Sequence, residues 1–296
     1  MSQLAAQMLN GLQLGFVYAL IALGYTMVYG IIKLINFAHG DVFMVGAFIT
    51  FFGVTAWHLP WPVAMLVSMA VCALLGVTIE RLAYRPLRKK GAPRIAALIT
   101  AIGVSLFLEY FCSLKLVFGS NYRVVPRPFA EHVWHLGTLR VSSIQVLVIS
   151  TVLLLLALIQ WVVYRTKLGQ AMRAVAHDQD AARLMGIDVD RVIAYTFALG
   201  SALAAAAGGL FALAYPQIDP FMGIMPGLKA FTAAVLGGIG NVPGAVLGAL
   251  IMGQAEALTA AYITTDYRDA IAFGILIVML LVRPGGLLGK SGPEKV

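Results

Sequence analysis

The sequence predicts an all-α polytopic membrane protein, and two observations carry that expectation: its composition and the length of its apolar runs. Hydrophobic residues make up 60% of the 296 and charged residues 11%, against about 25% charged in soluble domains. The mean hydropathy is +0.89. Several runs of about 20 residues or more are almost free of charge, enough to cross a hydrocarbon core of about 30 Å at about 1.5 Å per residue. Runs this long and uniform show no period-two alternation, which argues against a membrane β-barrel. The expected count is about eight full crossings plus one short re-entrant segment. All belong to a single transmembrane domain over residues 1–296.

The net charge of +8 is not a nucleic-acid footprint, because the basic residues cluster at the ends of apolar spans, where topology needs them. Cys72 and Cys112 lie inside apolar runs and imply no disulfide framework. The first span, 7–32, has no basic stretch before it and is too long for a signal peptide, so it is expected to be retained.

That span carries no charge until Lys33. A polar knot follows, Asn36-Phe37-Ala38-His39-Gly40-Asp41, leading straight into the second span, 42–57. Asn, His and Asp at the mouth of a span are costly unless they face protein or water, and Gly40 permits a sharply turned backbone. The expectation is a broken helix lining a pathway; the alternative is a polar turn at the interface. After a turn at 58–62, flanked by Trp57 and including Trp61, a third span covers 63–82. It ends in Arg81, Arg85, Arg88, Lys89, Lys90 and Arg94 against the single Glu80, which places this loop in the cytoplasm. The fourth span, 95–117, carries Glu109, a candidate buried carboxylate, and Lys115. Segment 119–141 is then the outer, periplasmic loop, with Pro126, Pro128 and Trp134. His132 and His135 would share a helical turn there. Without a Cys or carboxylate pattern they read as a surface contact for an external partner rather than a metal site.

The fifth span, 143–164, leads into the longest polar interruption, 164–191. Within it, Asp178, Asp180, Ala181, Ala182 and Arg183, closed by Gly186, suit a short helix that seats closely on another protein. Small side chains let backbones approach, the charges fix orientation, and glycine stops the helix. Arg173 and His177 complete the candidate docking set in a cytoplasmic loop over 165–190. The competing reading is an amphipathic linker lying on the bilayer surface. The sixth span, 192–215, is rich in small residues from Ser201 to Gly209, which favours close helix packing.

Beyond 216–220 lies a short apolar stretch, 228–236, then Gly237-Gly238-Ile239-Gly240-Asn241-Val242-Pro243-Gly244 and a helix to about Tyr262. This is expected to be the re-entrant break, with Gly240, Gly244 and Gly248 forming a packing face. A last span, 270–282, ends in Arg283, with Lys290 and Lys295 placing the C-terminus inside and the N-terminus outside. Gly289-Lys290-Ser291 lacks the first glycine and the preceding strand of a phosphate loop, so no nucleotide site is expected. Paired breaks in oppositely oriented halves suggest inverted repeats. The pathway would be lined by Asn36, Phe37, His39, Gly40 and Asp41 on one side and Gly237, Gly238, Gly240 and Asn241 on the other. Its walls are expected to be mostly apolar.

The first polar knot, the Asp-Ala-Ala-x-x-x-Gly segment at 180–186 and Gly237-Gly238-Ile239-Gly240-Asn241 with Pro243-Gly244 resemble one family over essentially the whole chain. It is the inner-membrane permease of high-affinity branched-chain amino acid ABC importers, in particular the shorter of the two permeases. The resemblance implies a sister permease, two cytoplasmic ATPases that hold ATP and Mg, and a periplasmic binding protein delivering leucine, isoleucine or valine. It implies alternating access in a bacterial inner membrane, no cofactor and no enzymatic activity in this chain. Segment 180–186 is similar to the loop that docks into the ATPase, although Asp180 stands where Glu is usual. Related permeases move urea, short amides or other amino acids. An ion-coupled secondary transporter is the competing class and would rely on Asp41 and Glu109; a passive channel or a scaffold would leave the docking helix unexplained.

Overall fold

The computed structural model describes residues 2–289 apart from 128, 137 and 138. Pro128, Lys290, Ser291 and Lys295 therefore lie outside the described residues. The chain is helical almost throughout. α1 (Ser2–Ile32) is followed by α2 (His39–Thr55) and α3 (Trp61–Ile79), and α3 continues through a π-helical turn, Glu80–Tyr84, into α4 (Arg85–Lys89). Next come α5 (Arg94–Ser113), the short strands β1 (Arg123–Val124), β2 (Val133–Leu136) and β3 (Leu139–Ser142), and α6 (Ser143–Arg165). The polar interruption holds α7 (Lys167–His177) and α8 (Gln179–Leu184). The rest is α9 (Val189–Ala214), β4 (Gln217–Ile218), α10 (Ile224–Gly237), α11 (Val242–Tyr262) and α12 (Arg268–Val282).

Among the described residues, six helices have the length and apolarity to cross a membrane: α1, α3 with its continuation, α5, α6, α9 and α11. Segments 42–57 and 270–282, expected as full crossings, belong to helices of 17 and 15 residues. The stretch 228–236 lies within the 14 residues of α10.

α1 is apolar on every side because every side is covered; Phe16 to Leu23 are all buried. It runs antiparallel to α11, with Gly15 against Gly253 near one end and Gly30 facing Gly240 near the other. The small-residue run of α9 is the seam against α2, where Gly46 meets Ala205 and Gly208 meets the backbone of Phe43. Small residues at these positions let helix backbones approach to van der Waals distance, the main source of helix association in lipid.

Two short helices start inside the bundle. After α1 ends, Lys33 adopts φ 55° and the chain doubles back, so that α2 begins with His39 beside Gly24. Eight residues of helix separate Gly24 from Ile32, so this start lies about 12 Å in from the end of α1. α10 starts against the same point, with Gly223 and Gly227 packed on Gly40. The two helices thus meet N-terminus to N-terminus and diverge. α2 runs toward the end of the bundle bearing 119–141, and α10 toward the end bearing 165–190.

The second discontinuity therefore precedes α10, rather than falling at Gly237–Gly244 as the glycines suggested. That stretch is a reversal at the end of the bundle: Gly238 and Gly240 take φ 103° and 93° so that α10 turns into α11. Asn241 caps α11 by accepting the Gly244 N–H at 3.2 Å, and its amide donates to the Leu288 carbonyl at 2.8 Å. Leu287 and Leu288 donate their N–H groups to Leu236 and Gly237. Gly244 and Gly248 do pack on α10, against Gly237 and Ala233, whereas Gly240 lies in the turn and not on that face. At the opposite end β1 pairs with β4, and β2 with β3. His135 stands in β2 across from Arg140, so it shares no helical turn with His132.

Candidate functional site

A small cavity of about 90 Å³ opens where the two short helices meet. Phe37, Gly40 and Asp41 line it from the first break, and Gly223, Ile224 and Gly227 from the start of α10. Neither helix has a side-chain cap at its N-terminus; the first turns are closed by backbone bonds instead, Asp41 and Val42 donating to the Ala38 carbonyl and Gly227 to the Gly223 carbonyl. Tyr25 closes one side, and α5 contributes Ser105 and Glu109. Asp41 sits in the first turn of α2, where a carboxylate is favoured by the helix dipole, and accepts the Ser105 hydroxyl at 2.5 Å. Two carboxyl groups, Asp41 and Glu109, share this narrow space, and the other eight lining residues carry no charge. The volume is well under the roughly 300–1,000 Å³ of a ligand pocket, so the space is a constriction in this structure.

The structure divides the first predicted set. Phe37, Gly40 and Asp41 face the cavity. His39 turns away: its ring lies 4.8 Å from Tyr25 and fills the notch between Gly24 and Gly200. Asn36 accepts the Tyr84 hydroxyl at 3.0 Å, tying the break to the π turn after α3. The second predicted set, Gly237, Gly238, Gly240 and Asn241, lies at the far end of α10 against the C-terminal tail. Gly223 and Gly227 take its place at the cavity. Their signal was available, since 216–223 holds two prolines and a glycine between apolar helices. Lys229 and Glu256 were also missed. They pair at 2.8 Å with both side chains buried, and an ionisable residue inside an apolar run is itself a functional signal.

The docking segment is built from caps. Thr166 accepts the Gly169 N–H to start α7, and Arg173 donates to the Val163 carbonyl at the end of α6 while lying over the Tyr164 ring. Asp178 separates α7 from α8 by accepting the N–H groups of Asp180 and Ala181 at 2.9 and 3.0 Å. The Ala181 and Asp180 amides hold its carboxyl below the usual carboxylate range. Gly186 ends the helix at φ 83°. His177, Asp180, Ala181 and Arg183 are exposed, whereas Ala182 is buried. The paired alanines therefore face opposite ways, and of the two only Ala181 is exposed. The face also offers Leu184 and Met185, 89% and 82% exposed, which sequence reasoning passed over.

This segment touches the first break through two routes. Gln179 donates to the Ile31 carbonyl at 3.0 Å, in the last turn of α1. Asp190, at the start of α9, holds Arg85 at 2.9 Å and Arg88 at 2.6 Å; Arg88 reaches Glu80 at 2.9 Å, in the same π turn whose Tyr84 binds Asn36.

The comparisons with known proteins agree on one family. The family described as branched-chain amino acid transport system / permease component matches residues 7–280. The chain is 46% identical to the high-affinity branched-chain amino acid transport system permease protein LivH of Salmonella typhimurium, over 98% of this chain and 97% of that protein. It is 43% identical to the corresponding protein BraD of Pseudomonas aeruginosa, over the same shares. Its identity to LivM, a second permease protein of that name in Salmonella typhimurium, is 25% over 94% of this chain but 69% of that longer protein. No solved structure gives a significant match. Long apolar helices around a broken-helix cavity, and a whole-length match to permeases, lead to one conclusion: the chain is a multi-pass membrane protein of the branched-chain amino acid transport permease family.

Proposed function

We propose that this chain is the permease subunit of an ATP-driven ABC importer in a bacterial inner membrane, moving leucine, isoleucine or valine from periplasm to cytoplasm. The observation that carries the reading is α8, a capped six-residue helix that buries Ala182 and offers Leu184 and Met185 to solvent. Adjacent exposed apolar side chains within a polar loop, rather than on a membrane span, suit a surface for a partner, and two cytoplasmic ATPases are the partners proposed. The basic residues of 81–94 lie at the same end of the bundle, which supports a cytoplasmic location for that end and the C-terminus, and a periplasmic one for 119–141 and the N-terminus. ATP and Mg would sit on the ATPases, and this chain would need no cofactor and perform no chemistry. LivH and LivM are distinct permease proteins of one organism, which supports a LivM-like sister for this chain. A periplasmic binding protein would deliver substrate to the 119–141 face.

ATP-driven closure of the ATPases would move α8 as a rigid body, and the bonds of Gln179 and Asp190 would pass that movement to the cavity. Reconstitution tests the reading: leucine uptake should require internal ATP and all partners, and should be lost when Leu184 becomes Glu. One observation favours a second reading. Asp41 and Glu109 line a single cavity, as a proton-coupled carrier would require. Uptake by the chain alone under a proton gradient would establish that reading instead. Uptake of urea in place of leucine would change only the substrate.

A further inference from the structure

Lys229 lies 2.8 Å from Glu256 and 2.7 Å from Asp269, and the Tyr18 hydroxyl donates to the other Glu256 oxygen at 2.8 Å. These contacts engage two of the three ammonium N–H groups and both oxygens of Glu256. Arg268 is different. Its Nε is buried 3.9 Å from Glu256, too far for a hydrogen bond, and has no hydrogen-bond partner among the described residues. Burying an ion pair costs desolvation that packing alone would avoid, and inside apolar spans such groups ordinarily serve a pathway.

The cluster forms one wall of a cavity of about 390 Å³ at the 119–141 end. Leu14, Phe211, Met222 and Met225 add apolar lining to the same cavity, and Asp219 also lines it. Met225 and Lys229 lie along one face of the start of α10, with Met222 just before it, while Gly227 on another face and the N-cap Gly223 line the constriction. One short helix thus separates the larger cavity from the narrow one.

We propose that this larger cavity receives the zwitterionic head group of an α-amino acid. Arg268, which lines the cavity, donates from its terminal guanidinium nitrogens to the α-carboxylate, Asp219 accepts from the α-ammonium, and the aliphatic side chain lies on Phe211, Met222 and Met225. The volume falls in the roughly 300–1,000 Å³ range of small-molecule sites. Thioether side chains adapt to differently branched aliphatic groups, so leucine, isoleucine and valine fit one wall. A neutral amide lacks the anion that Arg268 takes, and a carboxylic acid lacks the cation that Asp219 takes. The inference rests on the importer reading and adds to it the residues that select a zwitterion.

The test uses the assembled permease complex with Met225→Cys as a reporter, Met222→Cys serving as a second; the native Cys72 and Cys112 are buried. Labelling by a membrane-impermeant maleimide is followed with leucine, leucinamide or 4-methylpentanoate present. Leucine should slow labelling, and neither analogue should match it at equal concentration. Arg268→Gln should raise the leucine concentration giving half protection by about tenfold, the loss of one charge-assisted hydrogen bond. Equal protection by leucinamide, or none by leucine, overturns the inference, and this comparison decides even if Arg268→Gln does not assemble. ATP-dependent leucine uptake by the unmodified complex is measured alongside. Uptake without protection removes this site alone, whereas absence of uptake removes the importer reading.

Discussion

Ala182 and Leu184 are two residues apart in α8 and face opposite environments. Ala182→Leu forces two methylene-sized groups and a branch into a packed seam, and overpacking costs about 1–3 kcal/mol; a lowered melting temperature of the solubilised chain should show it. Leu184→Glu changes an exposed position, where effects on stability stay within about 0.5 kcal/mol, yet it should abolish co-purification with the ATPases. Sequence alone did not separate the two, because six residues are too few to fix a helix's phase. Lys229 makes a second residue-scale test. Lys229→Met leaves the buried Glu256 carboxylate with the Tyr18 hydroxyl and a more distant Arg268 but without its close cation, a cost below the ~3–5 kcal/mol of a fully unpaired buried charge. Adding Glu256→Gln should restore much of the loss in thermal denaturation, because the stranded charge is then gone.

At the scale of elements, the meeting of α2 and α10 is the feature on which the site depends. Gly40 and Gly223 touch backbone to backbone, so Gly40→Val should separate the short helices and lower transport more than expression. The first break was legible, because Asn36, His39 and Asp41 cannot lie at the mouth of a span without protein contacts. The second was not placed correctly, because 216–223 and 237–244 both carry helix breakers and sequence shows where a chain turns, not how deep. α8 offers a pH test. Asp178 has its carboxyl depressed by the amides of Ala181 and Asp180. Its contribution is therefore present above the ordinary carboxylate pKa of about 3.9 and fades only as pH falls through the lower native value. Hydrogen exchange in 179–184 should be insensitive to pH across the neutral range once intrinsic rates are removed, and Asp178→Ala should raise it. For Gln179→Ala, the expected result is intact ATPase binding with fewer substrate molecules moved per ATP.

For the whole molecule, the apolar runs and their flanking arginines and lysines made the class legible, and the motifs at 36–41 and 180–186 made the family legible. What stayed hidden was the convergence of distant residues: Lys229 with Glu256, Asp41 with Ser105, Gln179 with Ile31. Each pair comes from segments that are separate in sequence and adjacent only after the helices pack. The central claim is that chemical energy enters at α8 and opens a path past the meeting point of α2 and α10. The most direct measurement is labelled-leucine uptake into vesicles holding this chain, its sister permease, two ATPases and the binding protein, with and without internal ATP. Uptake that requires ATP and every partner, and that fails with Leu184→Glu, is the expected result. Uptake by this chain alone under an ion gradient would contradict it.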